Sequence, residues 1–117
     1  MITLTLPFPP SLNNLFINVA RRGRVTSSRY KAWQLLAGWE LKAQRPAPVL
    51  GRYRLTLTLT APDRRQRDAD NYIKAPSDLL KTMGVITDDS LAQAVTAQWS
   101  DYKPYKPGHV VVTLEAV

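Results

Sequence analysis

Two aspartates, Asp68 and Asp70, lie one residue apart directly behind three arginines in the run RRQRDADN. In an extended segment, residues i and i+2 project to the same side, so the two carboxylates can converge on one point. Two carboxylates held together at neutral pH repel each other, and one tends to be protonated unless a cation neutralises them. Oxygen-only ligands favour Mg²⁺ or Mn²⁺ over zinc. The spacing therefore indicates a site for a hard divalent cation.

A second acidic pair, Asp88 and Asp89, follows the helix that is predicted after the first pair. We expect a strand–helix–return unit of this length to bring the chain back close to where the helix begins, so that one or both carboxylates complete the cluster. Lys74 lies four residues after Asp70 and therefore on the same helix face. Its ammonium group can pair with Asp70, or it can stabilise the charge that grows on a phosphate oxygen during phosphoryl transfer.

The same aspartates also have a structural interpretation in which they bind no metal. Asp70 can cap the helix and Asp68 can lie in a turn, each stabilising the first helical turn through a backbone hydrogen bond and the helix dipole. Asp88 and Asp89 can form a solvated turn. Both interpretations are compatible with the local sequence.

The charge of the chain favours nucleic acid as a partner. Its 117 residues include 16 Lys and Arg against 9 Asp and Glu, giving a net charge of +7 and an isoelectric point near 10.1. Arginines can hold the nucleic-acid backbone while a bound metal ion screens its phosphates from the carboxylates. The basic residues expected to contact DNA are Arg21, Arg22, Arg24, Arg64, Arg65, Arg67, Lys103 and Lys106.

Other features exclude several classes of function. The absence of cysteine excludes disulfides, thiolate catalysis and cysteine zinc sites. We see neither a secretory signal nor an apolar run long enough for a membrane span, so a cytoplasmic protein without a membrane partner is expected. The single histidine, His109, is predicted to be a strand-edge residue rather than a general base. Tyr102 and Tyr105 either stack on bases or pack against the protein.

The elements that must position these residues form one predicted domain, residues 1–117. Alternation of apolar and polar residues indicates strands. The predicted strands are Ile2–Leu6, Arg52–Ala61, about Leu91 to Trp99, and His109–Ala116. With two helices packed on it, this sheet of about four strands, mostly antiparallel or mixed, predicts an α+β fold.

The helices are less regular than the strands. Ser27 or Ser28 can cap a first helix that runs to about Gln44. Its apolar residues form two stripes, and the second, which includes Leu35 and Trp39, could face a partner subunit or another layer of the same domain. A second helix is predicted from about Asn71 to Met83, with Pro76 forcing a late start or a kink. The stretch between residues 11 and 28 is predicted to be a long loop.

The run PDRRQRDADNYIKAPSDLLKTMGVITDDS, Pro62–Ser90, resembles the signature of the RusA family of Holliday junction resolvases. The stretch PFPPSLNN near the start is similar to the N-terminal motif of that family. The resemblance implies a RusA-like fold and a homodimeric, Mg²⁺-dependent endonuclease without a small-molecule cofactor. Such an enzyme nicks two strands of a four-way DNA junction symmetrically, and it acts in the bacterial cytoplasm, often encoded by a phage or prophage.

The resemblance also implies roles for individual residues. Asp68, Asp70 and Asp89 match the metal-binding aspartates of the family, and Lys74 matches its catalytic lysine. Asp88 matches the neighbouring acid of the family and is a further candidate metal ligand. Alternatives remain a non-catalytic nucleic-acid-binding module, a metal-dependent nuclease for other branched DNA or for RNA, and a structural Ca²⁺ site.

Overall fold

The computed structural model describes residues 1–117, which form six strands and two main helices. The strands are β1 Ile2–Pro7, β2 Phe16–Val19, β3 Gly23–Thr26, β4 Tyr53–Thr60, β5 Ala92–Trp99 and β6 His109–Ala116. The helices are α1 Ser28–Gln44 and α2 Lys74–Thr82. This is the α+β fold that the sequence predicts. Neither helix combines the length and the apolar composition that a membrane crossing requires.

The main sheet has four strands in the order β1-β6-β4-β5. Strand β6 runs antiparallel to both β1 and β4, whereas β4 and β5 are parallel. Parallel neighbours cannot be joined by a tight turn, so the chain crosses over between them through α2. The sheet is therefore mixed, and the β4–α2–β5 crossover carries both acidic pairs.

Helix α1 packs one stripe of side chains into the core, where the buried apolar residues form a continuous cluster. Its start is fixed by Ser27, whose hydroxyl accepts a hydrogen bond from Tyr30 N at 3.1 Å and donates one to Asn14 O at 2.6 Å. The predicted cap is thus confirmed. The second stripe points away from the protein: Leu35 is 67% and Trp39 65% exposed. The alternative in which another layer of the same domain covers the second stripe of α1 is therefore wrong.

The long loop predicted between residues 11 and 28 is wrong. A short 3₁₀ helix, Leu12–Asn14, is followed by the antiparallel hairpin of β2 and β3. The ring of Phe16 packs edge-on against Tyr30 of α1, with centroids 6.0 Å apart, and the Arg24 guanidinium lies 4.0 Å from the centroid of the Phe16 ring. The arginines and asparagines of this segment are typical of a loop. The contacts with Tyr30 and within the hairpin stabilise the two four-residue strands in spite of that composition.

Of the two outcomes predicted for the second helix, the structure shows the late start. Residues Ala69–Tyr72 form a 3₁₀ helix, and α2 starts at Lys74. Pro76 therefore lies in the first turn, where a backbone N–H has no partner within the helix, so its missing donor costs nothing. Gly84, at φ +76°, follows the end of α2 as predicted.

The two edges of the main sheet differ. Along β1, the amide of Gln44 bonds the free backbone: Thr5 N donates to Gln44 Oε1 at 2.8 Å, and Gln44 Nε2 donates to Thr5 O at 2.7 Å. Strand β5, with the uncharged sequence AQAVTAQW, has no comparable side chain across its outer edge. One edge is therefore blocked, and the other is open.

Replacing Gln44 with Ala should lower the free energy of unfolding by about 1–2 kcal/mol, because two hydrogen bonds to the backbone of Thr5 are lost. It should also promote aggregation by exposing the β1 edge. Urea denaturation and light scattering measure the two effects. Lys31→Ala, an exposed change on the same helix, is the control, and equal stability of the two variants would contradict the role of Gln44.

Candidate active site

Residues 61–73, here called the aspartate loop, connect β4 to α2 and border an open cavity of about 1060 Å³. The end of β5 and the residues after it form the opposite wall of this cavity. Its lining includes aromatic, cationic and acidic groups: Tyr72, Trp99, Tyr102, Arg64, Arg65, Lys103 and Asp68. The cavity thus combines positive charge with aromatic surface beside one of the predicted metal ligands.

Arg67 fixes the shape of the aspartate loop. Its Nη1 lies 2.7 Å from Asp63 Oδ1, and its side chain is only 10% exposed. The hydrogen bond from Arg67 and the backbone N–H of Arg65 hold the pKa of Asp63 well below its usual range, and Asp63 in turn raises the pKa of Arg67. Arg67 therefore holds the loop in shape from within. Arg64 is exposed, and Arg65 is exposed as well, although its Nε lies 3.3 Å from Asp63 Oδ2.

The N-terminal proline-rich segment contacts this loop. The ring centroid of Phe8 lies 4.9 Å from that of Tyr72 and 6.4 Å from that of Trp99, and the rings of Tyr72 and Trp99 are 6.1 Å apart. The Arg67 guanidinium lies 5.7 Å from the centroid of the Phe8 ring. The two stretches that carry the family resemblance therefore meet in one aromatic cluster below the cavity.

Asp68 and Asp70 do not have the structural roles that capping would give them. Asp68 precedes the 3₁₀ helix without a hydrogen bond from its side chain, and the residue before α2 is Ile73. Both carboxylates are exposed, and neither makes an ion pair. The capping interpretation is wrong, and two charged groups are left without a protein partner.

The second acidic pair divides into one bound and one free carboxylate. Asp88 is bonded by Lys81 Nζ at 2.6 Å, by Ser90 N at 3.1 Å and by the Ser90 hydroxyl. Lys81, followed by Ser90, lowers the pKa of Asp88, while Asp88 raises that of Lys81. The side chain of Asp89 is exposed and makes no such contact. Asp88 stabilises the turn, and Asp89 is available to a ligand.

Lys74 forms its ion pair with Asp78, four residues later in α2, and not with Asp70, four residues earlier. Its Nζ lies 3.3 Å from Asp78 Oδ1, and no ion pair joins it to Asp70. Asp78 also contributes, after burial, to raising the pKa of Tyr30. The ion pair with Asp70 is therefore excluded, and Lys74 stays half-exposed beside the start of the helix.

The carboxylates that were expected to form one metal site do not lie close together in this structure. No three Asp, Glu or His side chains lie close enough together to hold one metal ion. The cause is the direction of the crossover: Asp68 and Asp70 precede α2, whereas Asp88 and Asp89 follow it. A nine-residue helix is about 13 Å long. Parallel pairing sets the start of β5 beside the start of β4, so the return that precedes β5 lies at the opposite end of the strand pair from the loop that follows β4.

The hydroxyl of Tyr53, at the start of β4, is buried and has no hydrogen-bond partner. Burial raises the pKa of Tyr53, with further contributions from Asp89 and Asp88. Tyr53→Phe should therefore raise the free energy of unfolding by about 1 kcal/mol, because an unpaired buried hydroxyl is removed. Tyr105→Phe, which removes a hydroxyl that is hydrogen-bonded to His109 Nδ1, should lower it. Urea denaturation of both variants tests the difference, and a loss of stability in Tyr53→Phe would contradict it.

The remaining predicted DNA contacts are spread over the surface. Arg21, Arg22 and Arg24 lie exposed on the β2–β3 hairpin, and Lys106 is exposed outside the cavity lining. Sequence reasoning missed the cavity roles of Tyr72 and Trp99, which only the fold brings together. It also missed Asp63, although the four-residue spacing from Asp63 to Arg67 is a signal for an ion pair.

Comparison with known proteins gives two consistent matches. The family model described as Endodeoxyribonuclease RusA matches residues 7–115 of the chain. The chain is also 36% identical over 89 residues to the crossover junction endodeoxyribonuclease RusA of Aquifex aeolicus (strain VF5). That similarity covers 74% of this chain and 68% of the relative. The range matched by the family model contains the proline-rich segment and the aspartate loop that meet at the aromatic cluster.

Proposed function

Because this chain belongs to the RusA family of endodeoxyribonucleases, we propose that it resolves four-way DNA junctions by nicking two strands symmetrically. The observation that carries the proposal is the set of exposed carboxylates without protein partners, Asp68, Asp70 and Asp89, in a strongly basic chain. Unpaired carboxylates repel DNA, so their presence in a basic chain requires a function, and one of them, Asp68, lies in the lining of the cationic cavity. Cleavage with a metal cofactor supplies one.

Mg²⁺ is the proposed cofactor, with Mn²⁺ as a substitute, because all the candidate ligand atoms are carboxylate oxygens. Asp68, Asp70 and Asp89 would hold the ion, and they must approach one another to do so. Asp88 is a weaker candidate because Lys81 and Ser90 already occupy its oxygens. A bound divalent ion supplies a more acidic water molecule and neutralises charge on the phosphate.

The remaining side chains bind and orient the DNA. Arg64 and Arg65 are placed to neutralise backbone phosphates on the aspartate-loop side of the cavity, and Lys103 does so on the opposite side. Lys74 is proposed to balance charge at the scissile phosphate, which requires it to exchange Asp78 for the phosphate. Arg67 contributes indirectly by holding the loop.

Paired cuts require two active sites, so the proposed enzyme is a homodimer. The exposed stripe of α1 that includes Leu35, Leu36 and Trp39 is the candidate interface, because it groups three large exposed apolar side chains on one face of a helix. Leu35→Glu should convert a dimer into a folded monomer and abolish paired cutting. Leu50→Glu, the same change at a residue that is 82% exposed elsewhere, is the control. Analytical ultracentrifugation decides, and a Leu35→Glu dimer would contradict this interface.

The function is tested by incubating the protein with a synthetic four-way junction, a flap, a linear duplex and an RNA hairpin, with Mg²⁺ or with EDTA. Preferential cutting of the junction with Mg²⁺ is expected. Preferential cutting of the flap or the hairpin would assign a different nuclease. Binding of the junction without any cutting would indicate that the protein is a non-catalytic DNA-binding module. A large fall in melting temperature with EDTA would indicate a structural Ca²⁺ site.

A further inference from the structure

Two neighbouring tyrosines before β6 have different surroundings. The hydroxyl of Tyr105 shares a 2.6 Å hydrogen bond with His109 Nδ1, so Tyr105 has a structural role. Tyr102 lines the cavity, is 73% exposed, and its hydroxyl makes no hydrogen bond. The hydrogen bond to His109 therefore accounts for Tyr105, whereas Tyr102 has no structural role of this kind.

The segment that carries Tyr102 is hydrogen-bonded on both sides, once to β4 and once to the first residue of the aspartate loop. Ser100 N donates to Leu59 O at 2.8 Å, and Tyr105 N donates to Ala61 O at 3.0 Å. Tyr102 lies between these two anchors. An exposed aromatic ring on a fixed segment loses little conformational freedom when a ligand stacks on it.

Trp99 adds a second aromatic surface to the cavity. Its ring lies nearly parallel to that of Phe8, with an angle of 17° between the planes, yet 39% of the residue remains exposed. The aromatic cluster thus supports Trp99 from within the protein, and Trp99 also lines the cavity. A supported ring with exposed area is a suitable platform for a planar ligand.

We propose that this cavity binds one unpaired nucleobase at the branch point of the DNA, stacked on the aromatic surface of Trp99 and Tyr102. The inference rests on the proposed function and adds the feature by which a junction is distinguished from a duplex. Every base has a π-face, and stacking on aromatic side chains tolerates any sequence. In a duplex those faces are covered by neighbouring bases, and exposing one costs energy.

The other lining groups fit the rest of a nucleotide. Arg64, Arg65 and Lys103 are cations that bind backbone phosphates. The side-chain amide of Asn71, also in the lining, can bond the edge of a base. The cavity volume of about 1060 Å³ lies at the upper end of the range for small-molecule sites, so a nucleotide fits with its flanking backbone. Asp68 lies in the same lining, so a strand bound there lies beside one of the proposed metal ligands.

The test uses an immobile four-way junction with a single 2-aminopurine, either at the branch point or a full helical turn away in one arm. Without Mg²⁺, so that no strand is cut, wild type should change the fluorescence of the branch-point probe and leave the arm probe unchanged. Tyr102→Ala should remove this change and weaken junction binding about tenfold. Tyr105→Phe should behave as wild type.

Trp99→Leu, checked for folding by circular dichroism, should act as Tyr102→Ala does. The subsite is refuted if a folded Trp99→Leu and Tyr102→Ala both retain the wild-type fluorescence change and affinity, or if the arm probe responds as strongly as the branch-point probe. Competition with unlabelled duplex measures the preference for the junction, and this separates the base-binding subsite from the proposed junction-resolving function. Preferential junction binding with a silent branch-point probe overturns the subsite alone, whereas loss of that preference in wild type overturns the proposed function as well.

Discussion

Asp70→Asn is expected to slow junction cleavage by about a thousandfold or more while leaving junction affinity within a few-fold of wild type. The amide keeps the shape of the side chain but removes the charge that a divalent cation requires. Stabilisation of a phosphoryl-transfer transition state by a metal ion amounts to several kcal/mol, and about 4 kcal/mol corresponds to a factor of a thousand in rate. Because the Asp70 carboxylate has no protein partner, its loss should not destabilise the fold.

Single-turnover cleavage of a labelled four-way junction measures the rate, and gel retardation without Mg²⁺ measures the affinity. Asp101→Asn is the matched control, since Asp101 is an exposed aspartate outside the cavity lining and makes no ion pair. Cleavage by Asp70→Asn within tenfold of wild type would remove Asp70 from the site. A parallel loss of affinity and melting temperature would instead give it a structural role.

The neighbouring acids Asp88 and Asp89 should separate stability from catalysis. Asp89→Asn is expected to reduce cleavage by about a thousandfold, as for Asp70, with no change in stability, because its carboxylate is unpaired. Asp88→Asn should lower stability and affect cleavage much less, since it breaks the contacts with Lys81 and Ser90 that hold the turn. Cleavage rates and urea denaturation of both variants provide the comparison. The opposite pattern would make Asp88 the ligand and Asp89 the structural residue.

The contribution of Asp88 to stability should depend on pH in a defined direction. Lys81 lowers the pKa of Asp88 in the folded chain, so the carboxylate stabilises the fold above its unfolded pKa of about 4. That contribution is lost as the pH falls through the lower, folded pKa. The stability difference between wild type and Asp88→Asn should therefore be constant from pH 5 to 8 and shrink below about pH 4.

Local sequence signals were sufficient for most of the main sheet and for α1. Strand β6 has the predicted bounds, the three leucines of β4 are buried as their alternation indicates, and Ser27 caps α1. Each signal acts over a few residues: period-2 alternation points side chains to one face, and a serine oxygen satisfies a nearby N–H. The hairpin of β2 and β3 was missed because its stability comes from contacts with α1.

For the candidate site, the sequence supplied the residues to consider but not their arrangement, and their catalytic roles stay predictions. Whether a carboxylate has a partner depends in some cases on residues that are distant in sequence. In other cases two nearby residues compete for the same partner: Lys74 pairs with Asp78 instead of Asp70. The position of Asp89 depends on whether β5 runs parallel or antiparallel to β4, and a single sequence does not indicate this. The cavity itself needs the end of β5 and the aspartate loop to be adjacent.

The amide of Gln44 along β1 also limits how the protein can polymerise. A sheet with two accessible borders can add a strand at each and grow into a filament of indefinite length. Here the amide of Gln44 covers the β1 border, so strand pairing through the β5 border alone joins only two copies. Removal of this one amide would turn a self-limiting surface into one that can propagate.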